Sequence, residues 1–228
     1  MPRRRSFYRP NPVDAAPIGN TPGARLWYLL TTHVPRLIRA NFICVVFCLP
    51  VITIPAALCA LHAVVLQYYR IGYGDVWPSF WKEFRQNFWQ KTLVSILLLA
   101  LPFGGWFLGG MFAEWASYVG AAILAVFGLC VLAWLYPQLA LLKLPFWTAL
   151  QNAALLMAIE TWKNLWILLI LLITAGLMIL AWPLSALLFL FLIPVLPVVL
   201  LTAVTQPVLD ERLVQPESEG MQTREENP

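Results

Sequence analysis

Four residues with metal-binding side chains lie close together in an apolar part of the sequence. Cys44 and Cys48 are four positions apart and would share one face of a helix. Cys59 and His62 are three positions apart and would share another. If the chain folds back between the two pairs, their side chains would meet as ligands of a soft metal ion. The alternative, which we favour, is that the cysteines are buried as small apolar side chains, with no metal or cofactor.

Motifs for common enzymatic chemistry are absent from the sequence. It contains no G-x-S-x-G, no H-E-x-x-H and no glycine loop that would hold a phosphate. His33 has no acidic or cysteine residue at ligand spacing. We therefore expect no enzymatic activity and no catalytic residue. Nucleic-acid binding is not expected either, because the net charge of +4 comes mostly from arginines near the N-terminus and not from a folded basic domain.

The elements that position these residues are predicted to be membrane-spanning helices. Of the 228 residues, 61% are hydrophobic and only 11% are charged. Three stretches contain no charged residue and no histidine: Thr92–Phe112, Ser117–Tyr136 and Leu165–Gln206. About 20 helical residues cross a bilayer, so the first two stretches hold one span each. The third holds two spans, with a tight turn near Pro183. The sequence thus predicts an all-α polytopic membrane protein with four clear transmembrane helices.

A further apolar segment, Asn41–Leu58, contains Pro50 and Pro55. Proline interrupts a helix, so the sequence LPVITIP predicts a break at which the chain reverses. We expect a Pro-broken, re-entrant or sharply bent helical hairpin. Two short complete spans and a single kinked span are the alternatives. Because irregular backbone at membrane depth must be buried in protein or face water, the turn is expected to pack among the four spans.

The distribution of basic residues favours the hairpin over a single crossing. Short cytoplasmic loops are enriched in Lys and Arg. A single crossing at Asn41–Val65 would divide the 15 Lys and Arg residues almost evenly between the two faces of the membrane. A hairpin places all of them on one face. The sequence therefore predicts that both termini and the basic loop Tyr68–Lys91 lie in the cytoplasm.

Two amphipathic helices are predicted outside the spans. In Asp75–Lys91, five aromatic residues occupy one arc of the helix and polar residues the rest. That arc is expected to contact the headgroup boundary or a loop of a partner protein. It contains Trp77, Phe80, Trp81, Phe84 and Phe88. The second helix, Pro145–Asn164, would lie along the membrane, with Glu160 and Lys163 close enough to pair.

The ends of the chain differ in composition from the rest. Residues 1–25 are rich in Arg, Pro and Gly, which predicts a disordered basic tail. Residues 207–228 are polar and acidic, which predicts a second disordered tail. Residues 26–206 are expected to form a single helical membrane domain.

One block of the sequence resembles the YesL-like family of bacterial integral membrane proteins, a family of unknown function. The resemblance covers about Leu26–Gln206 and is strongest from Asn41 to Thr92. It rests on Asn41, on the turn with Pro50, Thr53 and Pro55, and on the helix with Phe80, Phe84 and Asn87. These residues supply a candidate structural turn (Asn41, Pro50, Thr53, Pro55). With the aromatic arc they also supply a candidate partner or lipid interface (Trp77, Phe80, Trp81, Phe84, Asn87, Phe88).

The resemblance implies a location in the bacterial cell membrane and a role beside a transporter. Members of the family tend to be encoded beside sugar-uptake permeases. That suggests an accessory or scaffold component of a carbohydrate ABC transport system, with permease subunits as partners. The alternative is a channel or facilitator for a small uncharged solute. The lipid bilayer and a second copy of the chain are further expected partners.

Overall fold

The structure is a computed structural model that describes residues 21–72, 74–141, 145–180 and 194–214. Throughout these ranges the secondary structure is helical, with no β-strand. Four of the described helical segments are long and apolar enough to cross a membrane. The predicted all-α membrane fold is therefore confirmed.

Helices α1 (Pro22–Thr32), α2 (Val34–Cys48) and α3 (Ile54–Ile71) form the N-terminal part of the bundle. The end of α2 joins the start of α3 through a short 3-10 helix, Val51–Thr53. At the opposite end the ring of His33 lies 5.2 Å from the ring of Tyr68, near the end of α3. Helices α2 and α3 are therefore antiparallel, as the predicted hairpin requires, and a single kinked span is excluded.

The two arms of the hairpin differ in length. Helix α2 has 15 residues, which gives roughly 22 Å at 1.5 Å per residue. The second arm, counted from Val51 to Ile71, has 21 residues and qualifies as a candidate span. Of the two short spans that the sequence allowed as an alternative, only α2 is therefore short.

Helix α4 (Val76–Arg85) is shorter than the predicted amphipathic helix Asp75–Lys91. Gln86 and Asn87 form a turn in which Asn87 has a positive φ of 51°. A left-handed residue cannot continue a right-handed helix, and Asn tolerates that conformation better than most residues. Phe88 consequently begins the next helix, so it belongs to a span and not to the amphipathic helix.

Helices α5 (Phe88–Gly110) and α6 (Glu114–Leu141) confirm the first two predicted spans. Helix α8 (Thr161–Leu180) confirms the first half of the long apolar stretch. Of the predicted partner span, residues 181–193 and the turn at Pro183 lie outside the described residues. Its described part is helix α9 (Val195–Leu209), which has 15 residues.

Helix α7 (Phe146–Ile159) corresponds to the second predicted amphipathic helix. It buries Phe146, Ala149, Ala153 and Leu156 along one face. Glu160 lies between the end of α7 and the start of α8, and it pairs with Lys163 at 3.2 Å as the sequence predicts. Trp162 and Trp166 are exposed on α8, where an aromatic belt is expected.

The boundaries between the predicted domain and its tails lie within helical structure. Helix α1 begins at Pro22, inside the predicted basic tail. At the other end, a π-helical turn continues α9 through Asp210–Val214, inside the predicted acidic tail. The remaining residues of both predicted tails lie outside the described ranges.

Charged residues gather at one end of the bundle. Arg70 at the end of α3 pairs with Asp210, which follows α9. Arg212 reaches Glu160, at the start of α8, at 2.6 Å. Lys91 in the first turn of α5 pairs with Glu83 of α4. The opposite end carries the hairpin turn and the short α5–α6 connection. The predicted topology, in which the basic segments lie on one face of the membrane, requires this separation of charged and uncharged ends.

Asn41 lies inside α2 and not in the turn for which it was a candidate. Its side chain is fully buried, and its Oδ1 accepts a hydrogen bond from the backbone N–H of Val195 at 2.9 Å. The first N–H groups of a helix have no partner within that helix. Asn41 therefore caps α9 from a distant part of the chain.

Replacing Asn41 with leucine is expected to lower the free energy of unfolding by about 1–3 kcal/mol, because the N–H of Val195 loses its acceptor in an apolar site. Reversible unfolding in mixed micelles measures the change. Phe42→Ala is the matched control, because Phe42 is 51% exposed on the same helix. Equal losses in the two variants would contradict the capping role.

Glu160 provides a pH-dependent contact between α8 and the segment after α9. Burial raises its pKa, but hydrogen bonds and charges of Lys163 and Arg212 outweigh burial and lower it overall. A lowered pKa in the folded state adds stability above the unfolded value of about 4.3, and that stability disappears as the pH falls through the folded pKa. We expect Glu160→Gln to lower the melting temperature at neutral pH, and the difference from the unmodified protein to disappear once the pH is below the lowered pKa of Glu160. A pH-independent difference would show that charge is not responsible.

Candidate functional site

The hairpin turn is closed by side-chain hydrogen bonds. Thr53 Oγ1 donates to the carbonyl oxygens of Phe47 and Pro50, the latter at 2.6 Å. Pro55 occupies the first turn of α3, where its missing N–H costs no helical hydrogen bond. Pro50, Thr53 and Pro55 therefore all lie in or beside the turn that joins α2 to α3.

The surroundings of the turn differ from the prediction. Leu49 and Val51 are 78% and 77% exposed, so the turn does not pack among the spans. The prediction of a buried turn is wrong because its backbone is largely satisfied locally, through the 3-10 helix and Thr53. Its exposed side chains are aliphatic, which suits a tip in contact with lipid.

The predicted aromatic interface divides into buried and exposed parts. Phe80 and Phe84 are buried, and their rings lie 5.6 and 4.9 Å from the ring of Phe47 on α2. They join α4 to the hairpin and do not form an outer surface. Trp77 and Trp81 remain exposed, with stacked rings 6.0 Å apart. An apolar arc predicts a helix face that is shielded from water, but either lipid or protein can cover that face.

The other two members of that interface lie at the α4–α5 junction. Asn87 is the exposed turn residue, and its carbonyl oxygen accepts the backbone N–H of Lys91 at 3.0 Å. Phe88 is partly buried, with its ring 5.5 Å from that of Phe84. Both residues therefore position the start of α5.

The cysteine and histidine pairs do not meet. The Cys44 and Cys48 sulfurs are 3.9 Å apart on α2. Cys59 instead lies 3.8 Å from Glu83 Oε1 and 3.9 Å from the carbonyl oxygen of Tyr136. In the described ranges, no three or more His, Cys, Asp or Glu residues form a group that could hold a metal ion.

A buried ion pair lies beside Cys59. Lys91 Nζ donates to Glu83 Oε1 at 2.5 Å and to the Glu83 carbonyl oxygen at 2.9 Å. The Lys91 side chain is 1% exposed and that of Glu83 is 11% exposed. The ammonium group therefore satisfies a carbonyl in the last turn of α4 as well as the carboxylate. This double contact fixes the angle between the surface helix and the first residues of α5.

Further polar side chains continue from the ion pair into the bundle. Ser95 and Tyr136 share a hydrogen bond of 2.9 Å between their hydroxyl oxygens. The ring of His62 lies 5.9 Å from that of Tyr136. His62 Nδ1 and Thr92 Oγ1 are buried without a hydrogen-bond partner in the described structure. Helices α3, α4, α5 and α6 thus converge on a buried polar cluster: Cys59, His62, Glu83, Lys91, Ser95 and Tyr136.

Two cavities adjoin this buried polar cluster. A polar one of about 290 Å³ lies at the charged end between α3, α4 and α6, with Arg70, Lys82 and Glu83 in its wall. An apolar one of about 380 Å³ lies between α3, α6, α8 and α9, with His62 and Tyr136 in its wall. Each cavity is therefore lined by at least one member of the buried polar cluster.

Sequence reasoning missed Glu83 and Lys91 as functional candidates. Both lie in the predicted basic loop Tyr68–Lys91, among the polar residues of the predicted amphipathic helix. In the sequence, however, Glu83 lies between Phe80 and Phe84 of the aromatic arc. Ionisable groups buried in a membrane protein commonly mark functional positions. The neighbouring apolar residues were the available signal.

One comparison with known proteins found a match to part of the chain. Residues 25–104 match the model of a family described as "Protein of unknown function, DUF624". The matched region runs from α1 to the middle of α5 and includes the hairpin, α4 and the Glu83–Lys91 pair. No curated protein and no solved structure matches the chain.

Proposed function

We propose that the protein is a non-enzymatic accessory or scaffold subunit of a transport complex in the bacterial cell membrane. The resemblance to the YesL-like family suggests a carbohydrate ABC importer as the complex and its permease subunits as partners. In this proposal the charged end of the bundle, with α4 and both chain termini, faces the cytoplasm. The excess of Lys and Arg at that end supports the orientation.

The observation that carries this proposal is an exposed tryptophan–arginine surface on α4. Trp77 and Trp81 are 53% and 37% exposed, and their rings are nearly parallel at 6°. The Arg85 guanidinium lies 5.6 Å from the centre of the Trp81 ring. Tryptophan and arginine are the residues most enriched at energetically important positions of protein interfaces. A rigid pair of indoles beside a cation therefore suits a cytoplasmic loop of another membrane protein.

The burial of Phe80 and Phe84 supports this interpretation of the surface. Because these two rings anchor α4 to α2, the two indoles are held on a fixed helix. A pre-positioned surface loses less conformational entropy when a partner binds. Contact with lipid headgroups is the competing role of the same tryptophans.

Affinity purification distinguishes the two roles. The tagged protein, solubilised in mild detergent from its native membrane, should retain a permease subunit in stoichiometric amount. The double variant Trp77→Ala/Trp81→Ala should lose that subunit while remaining inserted. Trp162→Ala is the matched control, because Trp162 is 71% exposed on α8. Recovery of the protein alone or as a homo-oligomer would contradict a stable accessory role.

A second function, facilitated diffusion of a small uncharged solute, is favoured by the two cavities that members of the buried polar cluster line. Thr53 closes the turn and is not among the residues lining either cavity. Ala133 does line the apolar cavity. Flux into proteoliposomes should then be abolished by Ala133→Phe and kept by Ala122→Phe, which adds the same ring at an exposed position of α6. Absence of flux in the unmodified protein would exclude this function.

A further inference from the structure

The apolar cavity is elongated along α3. Its wall includes Ile54 near the start of that helix and His62 two turns later. Eight residues of helix span roughly 12 Å. Aliphatic side chains from α6, α8 and α9 complete the wall, among them Leu132, Leu171, Met178 and Leu201. A volume of about 380 Å³ falls in the range typical of small-molecule sites.

The polar residues in the cavity wall include Thr174, Tyr136 and His62, and the rings of His62 and Tyr136 lie 5.9 Å apart. Thr174 donates its hydroxyl to the carbonyl oxygen of Ile170 at 2.7 Å. The Tyr136 hydroxyl is bonded to Ser95 at 2.9 Å. His62 is only 3% exposed, and its Nδ1 has no partner in the described structure. An unpaired polar group in an apolar site raises the free energy of the protein. A ligand with one matching polar group would lower it.

We propose that this cavity binds a neutral, single-chain amphiphile with one hydroxyl group, a long-chain or isoprenoid alcohol, whose hydroxyl bonds to His62. The hydrocarbon chain fills the apolar length of the cavity towards Ile54. The hydroxyl lies between the imidazole and the Tyr136–Ser95 pair.

The chemistry of His62 selects a hydroxyl over other polar groups. Nδ1 of a neutral imidazole is a donor in one tautomer and an acceptor in the other. A hydroxyl can serve both, whereas a carbonyl oxygen only accepts. A carboxylate would bring a charge into an apolar cavity, at a large desolvation cost. An alkane would leave Nδ1 unpaired.

The position of His62 argues against the chain of an ordinary phospholipid. His62 is eight residues, roughly 12 Å, from Arg70 at the charged end of α3. A phospholipid keeps its headgroup at the membrane surface, so only methylene groups reach this depth. Nδ1 is buried in the cavity wall, and in the proposed complex the ring turns about its soft χ2 torsion to present Nδ1 to the ligand. The proposal is independent of any association with an importer.

Photolabelling of the unmodified protein in nanodiscs tests the ligand class. The probes are a diazirine-bearing long-chain alcohol, the corresponding carboxylic acid and the corresponding alkane. We expect the alcohol to label peptides of α3, α6 and α8 that line the cavity, with competition by unlabelled long-chain alcohol. Labelling by the alcohol should exceed labelling by the alkane about five-fold, because one hydrogen bond contributes a difference in affinity of about that size. Equal labelling by all three probes would show only general contact with lipid and would overturn the proposal.

Two further experiments test whether His62 binds the hydroxyl and whether the ligand has one hydrocarbon chain or two. His62→Leu removes the polar atom and should abolish the preference for alcohol over alkane while both still label. A preference that persists in this variant overturns the assignment to His62. A diacylglycerol carries the same hydroxyl on two chains and should compete poorly in a cavity of this size. Competition equal to that of the single-chain alcohol would overturn the single-chain assignment. Because the probe comparison uses the unmodified protein, the test does not depend on the folding of the variant.

Discussion

Replacing Lys91 with methionine is expected to lower the free energy of unfolding by about 3–5 kcal/mol, the usual cost of leaving a buried charge without its partner. Glu83 would keep its carboxylate in the buried polar cluster, and its carbonyl oxygen at the end of α4 would lose the ammonium donor. Reversible unfolding of the purified protein in mixed micelles measures the loss.

The matched variants separate the ion pair from general effects of charge. Lys82→Met removes an exposed lysine from α4 and should change stability by less than about 0.5 kcal/mol. The double variant Glu83→Gln/Lys91→Met should recover much of the lost stability, because no unpaired charge remains. If the double variant is as unstable as the sum of the single variants, the two side chains do not interact.

Gly105→Ala is expected to destabilise the α5–α6 pair by about 1–3 kcal/mol, the usual cost of overpacking. A Cβ atom at this position would lie 2.4 Å from the carbonyl oxygen of Gly120, and a helix backbone cannot move aside cheaply. The cross-helix contact is reciprocal, because a Cβ atom on Gly120 would lie 2.6 Å from the Gly105 carbonyl oxygen.

Gly104→Ala is the control for this substitution. A Cβ atom on Gly104 would meet nothing within 4 Å, so the variant should be neutral or slightly more stable. Gly105 and Gly109 have a spacing that permits close helix contact either within the chain or between two copies of it. Comparison of the two variants also distinguishes these roles. A variant that changes the oligomeric state while leaving monomer stability intact would assign the glycines to a dimer contact instead.

The sequence alone determined the helical membrane architecture, because the cost of placing charges and unpaired backbone groups in hydrocarbon is large and local. Runs of uncharged residues therefore identified α5, α6 and α8 without any tertiary information. Pro50, Pro55 and the distribution of basic residues together identified the hairpin. These signals depend on the residue type and its position along the chain, which the sequence contains in full.

Only the tertiary structure decided which apolar side chains are buried within the chain and which stay exposed. Phe80 and Trp81 are neighbours in one aromatic arc, yet Phe80 is fully buried and Trp81 is 37% exposed. Hydropathy cannot separate them, because both are aromatic residues in the same arc of the helix. The spacing of the aromatic residues predicts an apolar face of the helix, but it does not predict what contacts that face.

The buried polar cluster also depended on tertiary structure. Glu83 and Lys91 are eight residues apart and would not face each other reliably along a continuous helix. They meet because Asn87 takes a left-handed conformation that ends α4, and the Lys91 side chain in the first turn of α5 reaches Glu83. His62 and Tyr136 come from helices far apart in the chain, and their proximity is a property of packing. Sequence periodicity describes each helix by itself, whereas a site between helices exists only once their angles and contacts are set.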